Sequence, residues 1–282
     1  MRPPGTTQLN DATQDTRGGI TYQVISCNVA PKQMADVIHV QLQYSANNQI
    51  TGIGNIVDCS VSQYLKNVLP AEANTLRSLL VSIANYGAAA QTYFNYNTAN
   101  LTNAFLDADD QNLSVVDVSG TDWQKYERQL LSDRNDFSEA DEKVKFKSAT
   151  LVLENQVRQR MYVTVDDTLL STVNTLQMHY RVKDTGAWHT TTLQPVDAST
   201  DANLYYADIA GIAPCDLDLI WESYVSDGET TLSKTLVYSP YSYVYSMLSN
   251  SESHADISNY DQLQQLLYSL VDYCNATQDY YF

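Results

Sequence analysis

The chain has 282 residues, enough for one large domain or two ordinary ones. Hydrophobic residues make up 44% and charged residues 17%, with 21 Tyr and a net charge of −17. That balance supports a packed core and excludes the basic surface that nucleic acid or an anionic membrane requires, while the lack of a long apolar run excludes a membrane-crossing helix.

Residues 1–20 are polar and lack the apolar stretch of a secretory leader. Residues 21–118 read as a first, partial unit of three strands and two helices. Ala30-Pro31 separates its first strand from a second near Ile38, and Asn47-Asn48 marks a hairpin turn. Ser60 reads as the N-cap of a short helix that runs to Leu69. Leu76, Leu79, Leu80, Ile83, Tyr86, Ala90 and Tyr93 recur at three- and four-residue steps, which predicts a long helix with one apolar face.

Residues 119–145 read as a linker holding a short helix at 123–131 and an exposed acidic stretch at 132–142. Residues 146–282 read as a complete unit of seven strands and two helices. The strands are expected at 148–154, 157–165, 177–183, 188–194, 204–209, 216–225 and 231–238. Asp184-Thr185-Gly186-Ala187 and Asp227-Gly228 mark turns. Ser239 and Pro240 suit the cap and first position of a short helix. Leu263, Leu266, Leu267, Leu270, Tyr273, Thr277 and Tyr280 then repeat the spacing of the first long helix.

The two helical stretches match in register: Ser82 with Ser269, Ala89 with Ala276, Gln91 with Gln278, and Gly87 with Cys274. Ser60 through Tyr64 correspond to Ser239 through Tyr243, with Tyr64 and Tyr243 expected in the core. Ala30-Pro31 corresponds to Ala213-Pro214, and Ile38 to Ile220. The expected class is therefore α+β: β-sandwich-like sheets of fibronectin or immunoglobulin type, each followed by a two-helix hairpin, internally duplicated. The first copy has only the last three strands of the pattern, so either a longer tandem array or a partner segment is expected to complete its sheet.

The stretch Tyr86-Gly87-Ala88-Ala89-Ala90-Gln91-Thr92-Tyr93-Phe94-Asn95-Tyr96-Asn97-Thr98 resembles a signature of large secreted repeat proteins of gut commensal bacteria. Ala149-Thr150-Leu151-Val152-Leu153-Glu154 looks like the start of the next repeat, and the second copy departs from the signature at Cys274-Asn275. The resemblance implies a cell-surface or extracellular location and a chain cut from a longer secreted protein. One subset of these proteins is superantigen-like and binds immunoglobulin heavy-chain variable domains. The resemblance thus implies a non-enzymatic binding module whose partner is a host protein such as an antibody heavy-chain variable domain. A carbohydrate-binding module and a structural stalk repeat are the alternatives.

Catalytic motifs are absent: there is no nucleophile elbow, P-loop or dinucleotide fingerprint. His39, His179, His189 and His254 are scattered, and no cofactor is expected. Asp107-Ala108-Asp109-Asp110 is followed by no Gly near the sixth position of a calcium loop and has Val118 at the twelfth, where Glu is needed, so it reads as a solvated acidic loop. The four Cys (Cys27, Cys59, Cys215, Cys274) form no C-x-x-C motif and read as buried free thiols.

Differences between the copies point to a binding surface. Tyr241 and Tyr245 stand where the first copy has Ser62 and Lys66, four apart on one helical face, and Tyr268 replaces Val81. Tyr joins a rigid apolar ring to a hydroxyl, which suits contact surfaces. Trp123 and Trp188 complete the candidate set, Trp188 because it borders a turn; Trp221, in mid-strand, reads as core.

Overall fold

A computed structural model describes residues 13–46, 49–52, 54–71, 74–153, 156–197, 201–249, 254 and 256–282. Its strands are β1 (Thr13–Arg17), β2 (Ile20–Val24), β3 (Ile38–Val40), β4 (Gln43–Ala46), β5 (Gln49–Gly52) and β6 (Val57–Cys59), followed by helices α1 (Val61–Val68), α2 (Asn74–Tyr93) and α3 (Thr121–Gln124). The chain continues through β7 (Gln129–Leu131), β8 (Val144–Leu153), β9 (Val157–Val165), β10 (Gln177–Val182), β11 (His189–Thr192), β12 (Gln194–Pro195), β13 (Leu204–Ile212), β14 (Trp221–Ser226) and β15 (Thr235–Tyr238). It ends in α4 (Pro240–Ser249) and α5 (Tyr260–Tyr281). The class is mixed α+β, and the strand pairings are antiparallel.

Two sheets dominate, one ordered β11-β10-β14-β15-β7 and the other β12-β13-β9-β8. Alternation decides their faces. In β9, Gln159, Met161, Val163 and Val165 are buried while the residues between them are half-buried. Met178, Val225 and Leu236 of the first sheet join Met161, Val163, Ala207 and Ile209 of the second in one core, closed by Val244 of α4 and Leu266, Leu267 and Leu270 of α5. Each such fully buried side chain contributes about 1.5–3 kcal/mol of transfer free energy.

Several sequence expectations change. The polar N-terminal segment contains β1, which pairs with β2 through Gly18-Gly19, both at positive φ, a two-residue turn suited to strand twist. The helix expected at 123–131 stops after α3, and Gln129–Leu131 instead pairs with β15 at the sheet edge. Residues expected as a linker thus supply β7 to the five-stranded sheet and Tyr126 to the core. The strand expected at 188–194 splits at Leu193 into β11 and β12, which lie in different sheets. An unexpected 3-10 segment, Asp167–Thr175, is capped by the Asp166 carboxylate. The Asn47-Asn48 turn lies outside the described residues.

Ser60 caps α1 as expected, accepting from the Gln63 amide at 3.0 Å. Tyr64, however, is 61% exposed, whereas Tyr243, aligned with it in the sequence, is half-buried against the core. The small core of the first half comprises Leu65, Leu80, Ala84 and Leu106. The four cysteines are unbonded, but Cys27 and Cys59 are exposed, and only Cys274 is fully buried.

The 86–98 stretch forms a structural lock. Gln91 is fully buried; its Oε1 accepts from the Thr102 amide at 2.8 Å and the Thr102 hydroxyl at 2.9 Å, and its Nε2 donates to the Asn100 carbonyl at 2.9 Å. Asn95 and Asn97 take left-handed backbone at the turn, and the Tyr96 hydroxyl donates to Asp36 at 2.6 Å. A Cβ on Gly87 would stand 3.0 Å from both Met34 Sδ and Thr102 Oγ1, so the small residue serves this loop. α2 and α5 run antiparallel, with the Asn259 side chain, at the start of α5, donating to the Tyr93 carbonyl at the end of α2. Between them Tyr86 and Tyr273 stack at 5.6 Å.

Candidate binding surface

The five candidate residues fall in three places. Tyr241 is interior. It lies in the first turn of α4, where the Ser239 hydroxyl accepts its amide at 3.1 Å and in turn donates to the Leu217 carbonyl at 3.2 Å. This turn tucks the ring under the sheet, stacked on Trp123 at 5.1 Å and edge-on to Tyr126 at 5.2 Å. The Tyr241 hydroxyl sits beside the Cys274 thiol, and burial raises its pKa, with that thiol adding to the effect. Tyr241 is therefore not a surface contact, and Trp123, half-buried against it, is held by the same stack. Helical spacing put Tyr241 and Tyr245 on one face, but the sheet covers the start of that face and not its end.

Tyr245 and Tyr268 do come together. Both are half-buried and line a groove of about 380 Å³ with Leu248, Val115 and Val116. Residues 115–119 form its far wall, a contribution from more than a hundred residues upstream that no local pattern announces.

Trp188 belongs to the third place, the outer face of the five-stranded sheet. Register sets a row there: His179 opposite Tyr224 and Arg181 opposite Glu222, with Tyr180 and Ser223 between them and the buried pair Met178 and Val225 next along the strands. His179 stacks on Tyr224 at 4.7 Å with rings nearly parallel. Trp188 meets the Tyr224 ring edge-on at 5.0 Å and carries the Arg181 guanidinium over its face at 4.6 Å. Arg134 reaches in from the loop after β7 and lies over Tyr224 at 3.7 Å.

Carboxylates anchor both guanidiniums. Arg181 pairs with Glu222 at 2.9 Å and Arg134 with Asp136 at 2.9 Å. Hydrogen bonds from Arg134 and from the Thr231 hydroxyl hold the Asp136 carboxyl below its usual range. Burial lowers the His179 pKa, with Arg134 adding repulsion, so the ring is neutral near pH 7. Its Nε2 lies 2.9 Å from the Ser226 hydroxyl. The result is a rigid aromatic–guanidinium surface, with Trp188 37% exposed at its rim.

No family model, curated protein or solved structure matches the chain.

A second groove, about 380 Å³, lies between α2 and α5, where Asn85, Asn103 and Gln111 face Asp261, Gln262 and Gln265. Several of its amides are occupied in the fold: Asn85 donates to the Asp110 carbonyl at 2.8 Å, and Gln111 to the Leu106 carbonyl at 3.0 Å. The acidic loop is not simply solvated. Asp110 makes a two-point ion pair with Arg77 at 2.6 and 2.9 Å, which holds its carboxyl below the usual range, and Asp107 accepts the Asp110 amide. Among the described residues, no group of three or more His, Cys, Asp or Glu is placed to hold a metal ion. Nor is any of their helices long and apolar enough to cross a membrane.

Proposed function

We propose that this chain is a non-enzymatic, extracellular protein-binding module of a bacterial surface protein, and that it engages a folded host protein, an antibody heavy-chain variable domain in the first instance. The observation that carries this reading is the Trp188–Tyr224–His179 row with Arg134 and Arg181 laid over it. Trp, Tyr and Arg are the side chains that dominate interface energetics when held rigid and desolvated by a partner. The sheet and the two ion pairs fix them beforehand, which lowers the entropy cost of docking. The variable domain as partner, and the location outside the cell, come from the resemblance of the 86–98 stretch to secreted repeat proteins.

The architecture that goes with this reading is a duplicated unit. Its complete copy is a sandwich of fibronectin or immunoglobulin type followed by two helices. Each half passes through a 3-10 turn opened by Ala-Pro, at φ −67 and ψ 150 for Ala30 and φ −69 and ψ 152 for Ala213. An antiparallel strand pair, a short helix and a long helix follow in each. Tyr86 and Tyr273, matched in register, stack on each other, as a local twofold between the halves would require.

Surface plasmon resonance against a panel of Fab fragments spanning the heavy-chain families tests the function. Binding to a subset is expected, weakened about tenfold or more, or ~1.4 kcal/mol, by Trp188→Ala. No binding to any Fab removes the antibody proposal. Unchanged binding by Trp188→Ala moves the contact to another face, with Tyr245→Ala and Tyr268→Ala reporting on the groove. A glycan-array signal abolished by Trp188→Ala would favour a carbohydrate ligand instead.

A further inference from the structure

The first half leaves bare the positions that the second half buries. Val57 is 61% exposed, whereas Leu236, its counterpart, is 1% exposed; Ile56 is 60% exposed and its counterpart Thr235 4%. Val24 follows the same rule against the buried Ala207, and Tyr64 is 61% exposed against the half-buried Tyr243. Val40, opposite Val57 in the β3–β6 pair, is exposed as well. Scattered apolar residues on a surface are ordinary, but a contiguous set on paired strands and the adjoining helix marks an interaction site.

The second half shows what belongs there. Its corresponding residues lie in one core with the inward side chains of β8, β9 and β13, and α4 packs on β8. We infer that the exposed face of β3, β6 and α1 is a docking surface for an antiparallel β-hairpin with alternating apolar residues, supplied by a different protein chain. The inference rests on the duplication proposed above. The occupant it names has the chemistry of β8–β9: Val144 and Phe146 on one strand, Met161, Val163 and Val165 on the other, all buried. Among the described residues β3 and β6 pair only with each other, so both outer edges offer backbone groups for a further strand.

Hydrogen exchange on the full chain, with and without a synthetic peptide of residues 143–165, tests this. In the free chain, amides of β6 and α1 should exchange far faster than those of β15 and α4. Saturating peptide should slow β3, β6 and α1 by about tenfold or more, and Val57→Asp should weaken that effect about tenfold. A peptide with Met161→Asp and Val163→Asp should give no protection. Absence of protection with the native peptide, while β6 and α1 remain fast, overturns the docking surface and leaves the duplication standing. Fast exchange that slows with chain concentration alone means that a second copy of the chain closes the face, which also overturns the inference. Should β6 and α1 be as slow as β15 and α4 in the dilute free chain, the comparison of the halves fails, and the duplication reading with it.

Discussion

Replacing Tyr241 separates an interior role from a surface one. Tyr241→Ala removes a buried ring that stacks on Trp123 at 5.1 Å and meets Tyr126 edge-on at 5.2 Å. Deleting a buried large aromatic side chain costs about 3–5 kcal/mol, and lost ring pairing places this site toward the upper end. Tyr241→Phe keeps the rings and removes only the hydroxyl beside the Cys274 thiol. A thiol is a weak hydrogen-bond partner, so the Phe variant should equal the parent or exceed it by ~1 kcal/mol. Tyr245→Ala, on the half-buried wall of the groove, should cost about 1 kcal/mol or less. Urea unfolding read by tryptophan fluorescence and circular dichroism gives all three values. A Tyr241→Ala variant within about 1 kcal/mol of the parent would refute the interior stack. A Tyr241→Phe variant less stable than the parent would show that the hydroxyl is bonded, with the Cys274 thiol its nearest candidate.

Gly87→Ala should destabilise by about 1–3 kcal/mol, since the new methyl meets Met34 and Thr102 at 3.0 Å and this outweighs the ~1 kcal/mol gain in helix propensity; a raised melting temperature would refute the close approach. Gln159→Leu should stabilise by about 1–2 kcal/mol, because the fully buried amide has no partner on either atom; a lower urea midpoint would show that the amide is satisfied. With a thiol reagent, Cys27 and Cys59 should react at once, while Cys274, buried and with its pKa pushed up to about 11, should react only on unfolding. Burial raises the pKa values of Tyr86, Tyr126, Tyr238 and Tyr241 above their value of about 10 in the unfolded chain. Above that pH the unfolded chain releases protons that the native state keeps, so their contribution is full below about pH 10 and is lost as pH rises further. Unfolding midpoints that stay flat through pH 11 would contradict this.

What the sequence made legible was local. The α2 and α5 faces follow from three- and four-residue spacing, the α1 start from Ser60, and the β14–β15 turn from Asp227-Gly228, where the Asp227 carboxylate accepts the Glu229 and Thr230 amides. β7 was hidden because three residues carry no period and their pairing with β15 is a tertiary event. β1 was hidden by polarity, its one signal being Gly18-Gly19. In the candidate surface, Trp188 beside its turn was visible, but Arg134 and Tyr224 reach it from distant strands and loops. Tyr241 misled because spacing fixes which residues share a helix face, not which part of that face a sheet covers.

The split at Leu193 has a mechanical consequence. A single run of chain, residues 189–195, donates β11 to one sheet and β12 to the other, with the buried Leu193 as the only residue between them. Sliding one sheet over the other must therefore strip ladder hydrogen bonds from this run, since one connecting residue offers almost no slack. Load that enters either sheet passes to its neighbour through covalent bonds as well as through side-chain packing, so the two layers should yield together under tension.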